Sequence, residues 1–249
     1  MKKSFFLECF ISAFVALCNH YLSAMGIAEN INRLKEGLKS NVTLVAVSKT
    51  KPVEDIRTAY GVGQRIFGEN KVQELVDKYE QLPKDIEWHF IGHLQRNKVK
   101  YIASFVSLVH AVDSLQLLSV INREAGKQKR SIACLLQFHI ARESSKFGLS
   151  REEAVELLSS EEYQKMTHVK ICGVMGIATF TEDKEQVHHE FSGLKNIFEE
   201  LKVRFFEDQS SFSEISMGMS GDYPEAVDEG STMIRVGTGI FGARQKKNE

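Results

Sequence analysis

Proline is almost missing from this sequence: three residues in 249, and no low-complexity tract, which leaves little room for long linkers. Neither sign of charge is in excess. With 32 basic and 33 acidic side chains the formal net charge is −1. Composition therefore gives nucleic acid or an anionic membrane no claim as main partner, although a few groups could still hold a phosphate locally. Cysteine is scarce, and Cys9, Cys18, Cys134 and Cys172 form no C-x-x-C pair. They read as buried or incidental thiols in a reducing cytoplasm. There is no internal repeat, and no apolar run is long enough to span a bilayer.

The N-terminus has a basic start at Lys2 and Lys3, an apolar stretch from Phe10 to Leu17, and Leu22-Ser23-Ala24. That order resembles a signal peptide. Glu8 interrupts the apolar part, however, and Met25 opens a well-formed segment. The favoured expectation is a start placed too early, with export as the alternative. Residues 1–24 are set apart as an extension, 25–244 as one domain and 245–249 as a tail.

What is present suits one globular domain: 43% hydrophobic and 26% charged residues in a length typical of a single TIM barrel. Strand-like and helix-like segments alternate. Val42 to Ser48 is a nearly continuous β-branched run, as in a strand buried on both faces. Further strands are predicted at Arg65–Phe67, Glu87–Ile91, Phe105–Val109, Ile132–His139, Val169–Val174, Phe212–Ser216 and Thr232–Val236. Helices are predicted between them. Asp113 with Gln116, and Ser150 with Glu153, resemble capping boxes. Eight such units predict an α/β chain folded as a single (β/α)8 TIM barrel. A doubly wound open sheet is the alternative, but no G-x-G-x-x-G follows the first strand.

In a barrel, chemistry sits at the C-terminal ends of the strands. Lys49 ends the first strand with no acid beside it in sequence. A desolvated lysine amine near another cation can form a Schiff base with an aldehyde; taken alone, however, Lys49 reads first as an ordinary solvated loop lysine. Met217-Gly218-Met219-Ser220-Gly221 and Gly237-Thr238-Gly239 follow strands seven and eight, where barrels often bind phosphate through backbone N–H groups. Ser220 and Thr238 add hydroxyl donors, and Arg235 adds a charge. His89 and His93 lack matching carboxylates, so no metal site is expected. His188-His189 reads as solvated, and no G-x-S-x-G elbow occurs.

Together these segments resemble the pyridoxal phosphate homeostasis protein family. The matching stretches are Val45 to Pro52, Phe67 to Glu74, Trp88 to Gln95, Ser216 to Ser220 and Gly230 to Gly242, in order between Met25 and Arg244. The resemblance implies a barrel like the N-terminal domain of alanine racemase, with pyridoxal 5′-phosphate (PLP) as cofactor on Lys49. It further implies a phosphate held by Ser220, Gly237 and Thr238, Arg235 near the pyridine nitrogen or the phosphate, and Asn70 lining the pocket. Lys146, in a stretch matching the family's E-x-x-K-x-G, could receive or pass on the aldehyde. Phe138 to Arg142, Phe147 and Gly239 depart from the family's usual residues, which bears on pocket shape beside strand five.

The resemblance implies no catalytic residues: a racemase needs an acid–base partner across the cofactor, and alanine racemase takes that tyrosine from a second, β-rich domain. Only seven residues follow Gly242 here, and Tyr60, Tyr79, Tyr101 and Tyr223 all read as helical. The expectation is a cytoplasmic, non-catalytic PLP carrier, a monomer or weak dimer, that supplies apo PLP-dependent enzymes. A weak amino acid racemase or lyase is the alternative.

Overall fold

A computed structural model describes residues 26–142 and 147–243. The extension 1–24, the group Glu143 to Lys146 and the tail lie outside these residues, as do Cys9 and Cys18. A first helix, α1 (residues 26–37), leads into eight strands: β1 (Thr43–Val47), β2 (Ile66–Glu69), β3 (Glu87–Phe90), β4 (Leu108–Val112), β5 (Ile132–Phe138), β6 (Val169–Gly176), β7 (Glu214–Ser216) and β8 (Met233–Val236). Each strand pairs in parallel with its sequence neighbours, and β8 closes on β1. The intervening helices are α2 (Val53–Gly61), α3 (Val72–Gln81), α4 (Val99–Ile102), α5 (Leu115–Lys127), α6 (Arg151–Ser159), α7 (Glu161–Gln164), α8 (Lys184–Phe205) and α9 (Tyr223–Asp228), and α10 (Thr238–Phe241) follows β8. The expected barrel is the fold observed.

Parallel strands bury both faces, so the alternation of side chains divides the chain into two cores. Outward residues such as Ala46, Phe67, Trp88, Phe90 and Ile234 join the helices in one large apolar cluster. Val45, Leu108, Leu135, Met175 and Met233 form a smaller cluster that fills the barrel interior. Each fully buried Leu, Ile or Phe contributes about 1.5–3 kcal/mol of transfer free energy. The same alternation carries past the strand ends. Val45 and Val47 point inward and so does Lys49; Ile66 points inward, and Asn70 follows at the same parity; Met233 is succeeded by Arg235 and Gly237. Parity thus delivers polar side chains to the top of the barrel.

Two sequence expectations need correction. Strand four runs from Leu108 to Val112 rather than Phe105 to Val109. Phe105 and Val106 instead end the α4 turn, both donating to the Ile102 carbonyl, and the Phe105 ring stacks on Tyr79 of α3 at 3.8 Å. Their hydrophobicity serves helix packing, not the sheet. The α5 cap is Ser114, whose hydroxyl accepts from Leu117 N–H, while Asp113 turns to His93. The Ser150–Glu153 capping box forms as expected.

Candidate functional site

A cavity of about 730 Å³ opens at the C-terminal end of the strands. All six residues singled out from the sequence line it: Lys49, Asn70, Ser220, Arg235, Gly237 and Thr238. Lys49 and Arg235 bring positive charge, and among the described residues no aspartate or glutamate lines the cavity. A carboxylate here would compete with an anionic ligand for the same donors. The rim is apolar, with Phe147, Phe180 and Met219, and the Phe147 ring stacks on His93 at 4.4 Å. Glu143 to Lys146, where a second acceptor lysine was expected, lies outside the described residues.

The anion-binding candidates converge on Ser220. Its Oγ accepts hydrogen bonds from the N–H of Gly237 at 3.2 Å and of Gly239 at 3.3 Å, so the two glycine-rich turns meet at one hydroxyl. Gly218 makes the first turn possible: its φ is +93°, and a Cβ there would lie 2.6 Å from that of Ala226. A Cβ on Gly237 would crowd the Val47 carbonyl at 3.3 Å. On the other wall, Gly92 lets the chain pass close enough to fix Asn70, since a Cβ would stand 2.6 Å from the Asn70 carbonyl.

Lys49 is half-buried, and its neighbours are held from behind the strand. Ser48 and Glu69 point outward toward α3. The Ser48 hydroxyl donates to Glu69 Oε1 at 2.6 Å, and Lys78 Nζ donates to Glu69 Oε1 at 2.7 Å, to Glu74 Oε1 at 2.7 Å and to the Ser48 carbonyl at 2.8 Å. Glu74 also accepts from Thr50 N–H. Thr50 is a β-branched residue at φ +65°, a costly conformation that this ionic network stabilises. Burial pushes the Glu69 carboxyl above its ordinary value, against the pull of Lys78 and Ser48, and its Oε2 has no hydrogen-bond partner among the described residues. Lys51 acts elsewhere. Its ammonium donates to the carbonyls of Phe241, Gly242 and Ala243, tying the end of α10 to the loop that follows β1.

Arg235 is 4% exposed. Nη1 donates to Ser216 Oγ at 2.7 Å and Nη2 to the Gly176 carbonyl at 3.0 Å. Burial lowers its pKa to about 10, opposed only weakly by Asp222. Behind Ser216 stand two buried imidazoles, His110 and His89, joined to it in a chain. The sequence pattern does not single out His110, because a strand four placed at Phe105–Val109 leaves it beyond the strand's end. Nor does it single out Lys78, or give Glu69 a role. A histidine inside the apolar run Leu108-Val109-His110-Ala111-Val112 is the signal that could have found the first. His188, read as solvated, pairs with Glu229 at 2.9 Å.

Cavity and barrel together define a class. The model of the alanine racemase N-terminal domain matches residues 23–245. The barrel superimposes on alanine racemase from E. faecalis with a TM-score of 0.65 at 17% identity, covering 90% of this chain and 60% of that one, a likeness of fold alone. Within that class the chain belongs to the pyridoxal phosphate homeostasis protein family. It is 38% identical over 224 residues to the pyridoxal phosphate homeostasis protein of Pasteurella multocida, covering 88% of this chain and 94% of its relative. PipY of Synechococcus elongatus, whose structure was solved with PLP bound, has a TM-score of 0.80 and 37% identity, covering 87% of this chain and all of that one.

Proposed function

We propose that the chain binds PLP in this cavity, holds it covalently through Lys49, and acts as a non-catalytic carrier in PLP homeostasis. The observation that carries this reading is the donor set: Lys49, Arg235, Ser220, Gly237 and Thr238 line one cavity with no described carboxylate among them. PLP supplies an aldehyde that a lysine amine captures and a phosphate that needs hydrogen-bond donors. Ser220, Gly237 and Thr238 hold the phosphate, Arg235 supports the ring or the phosphate, and Asn70 lines the pocket.

The carrier works in the cytoplasm, as a monomer or weak dimer, and passes PLP to apo-enzymes. Among the described residues no helix is long and apolar enough to cross a membrane. The competing racemase reading requires a group that moves a proton at the substrate's Cα. No tyrosine or cysteine is among the described residues lining the cavity, and the imidazoles that line it are His93, paired with Asp113, and His139.

The test is to load the full chain with PLP, reduce it with borohydride and map the modified peptide. Pyridoxyl mass on Lys49, absent after Lys49→Ala, supports the reading; label scattered over surface lysines overturns it. Cα deuterium exchange into an added amino acid, lost in Lys49→Ala, would replace the carrier by the racemase.

A further inference from the structure

Inside the barrel a hydrogen-bonded chain links opposite walls. Arg235 Nη1 on β8 meets Ser216 Oγ on β7 at 2.7 Å, Ser216 Oγ meets His110 Nδ1 on β4 at 2.9 Å, and His110 Nε2 meets His89 Nδ1 on β3 at 3.0 Å. His89, His110, Ser216 and Arg235 are all buried. The proton positions follow from donor counts. Arginine only donates, so Ser216 accepts from Arg235 and keeps one hydrogen to give. Its remaining partner among the described residues is His110 Nδ1, which must therefore be bare. His110 then carries its proton on Nε2 and donates to a bare His89 Nδ1, leaving His89 protonated on Nε2. Every bond in the chain points away from the guanidinium.

We infer that His110, backed by His89, is a positioning residue for Arg235: its acceptor nitrogen turns the Ser216 hydroxyl so that a lone pair faces the guanidinium and sets Arg235 at the cavity wall. The second anchor, the Gly176 carbonyl, cannot do this alone, since one acceptor leaves the planar group free to swing about it. Both imidazoles must be neutral, because a charged one would lie buried beside a buried cation. Burial brings His89 to about 3 and, with His89 and Arg235 nearby, holds His110 well below the ordinary range. Of these four residues only Arg235 lines the cavity, so the effect passes through it.

The inference rests on the PLP reading only in its consequence, and the experiment separates the two. Nitrogen-15 NMR of the PLP-free full chain is expected to find His89 and His110 neutral at pH 6, each protonated on Nε2. Protonation of His110 on Nδ1, or of both its nitrogens, would overturn the assignment whatever PLP does. PLP affinity is then measured for wild type, His110→Phe, Ser216→Ala and the double variant. Each single change is expected to weaken binding about tenfold and to shift the visible absorption of bound PLP, the double change doing no more than either. Equal affinity and an unchanged spectrum in His110→Phe, or additive losses, would sink the positioning role. A wild type that binds no PLP would sink the functional reading instead, with the NMR result still standing. Should His110→Phe not fold, Ser216→Ala and the wild-type NMR carry the test.

Discussion

Between the barrel wall and α3 an ammonium is held by two carboxylates, whereas inside the barrel a guanidinium is held by a hydroxyl and a carbonyl. Both networks are buried, and both fix a residue at the cavity, Lys49 on one side and Arg235 on the other. The outer one works by opposite charges brought close, and its members are interchangeable in principle with an apolar set of similar volume. The inner one works by direction: a cation is compensated by dipoles that must all point one way. Charge pairing tolerates reorientation of its parts; a one-way dipole chain tolerates none.

The largest expected effect breaks the outer network. Lys78→Met leaves Glu69 and Glu74 without their shared cation and should cost about 3–5 kcal/mol, read from the urea midpoint. The double change Glu69→Gln with Lys78→Met should recover more than half of that loss, because the uncompensated charge is gone. A loss no smaller in the double variant would mean that shape, not charge, governs this side.

Acid sharpens the contrast, because the two networks respond with opposite sign. His89 and His110 titrate near 6.5 when unfolded and far lower when folded. Their contribution is fully present above pH 6.5 and declines as pH falls below it; for His89, brought to about 3 by burial, the loss runs at about 1.4 kcal/mol per pH unit. At pH 5 the loss from His89 is about 2 kcal/mol. Glu69, raised by burial, gains native protons earlier than unfolded ones, so its contribution grows as pH falls and opposes the decline. Glu69→Gln should therefore steepen the fall in stability with falling pH measured by urea unfolding; identical slopes would refute the difference in sign.

Smaller effects test the cavity between the networks. Ser220→Ala removes the acceptor shared by Gly237 and Gly239 and should weaken PLP binding about tenfold, roughly 1.4 kcal/mol, with little change in the urea midpoint. The smallest is a control remote from both networks: Ser150→Ala opens the α6 capping box, costs about 1 kcal/mol, and should leave PLP affinity unchanged.

The barrel was legible because its signals are local and repeated: β-branched runs, caps, and glycines after strands seven and eight. The cavity residues were legible for the same reason, since each ends a strand or opens a turn. What stayed hidden depends on pairing across distance. Lys78 looks like any helix-surface lysine until β2 brings Glu69 beneath it, nine residues away in sequence. His110 gains its partner 106 residues later. Phe105 and Val106 carried a strand-like pattern that tertiary packing used for a helix turn instead.

One consequence follows from the depth of Arg235. Dissolved ions screen charges at the cavity mouth but do not reach a guanidinium that is 4% exposed. Added salt should therefore slow the arrival of an anion at this protein while leaving its dwell time nearly untouched. Ionic strength would set how fast the cargo loads, and the barrel interior how long it stays.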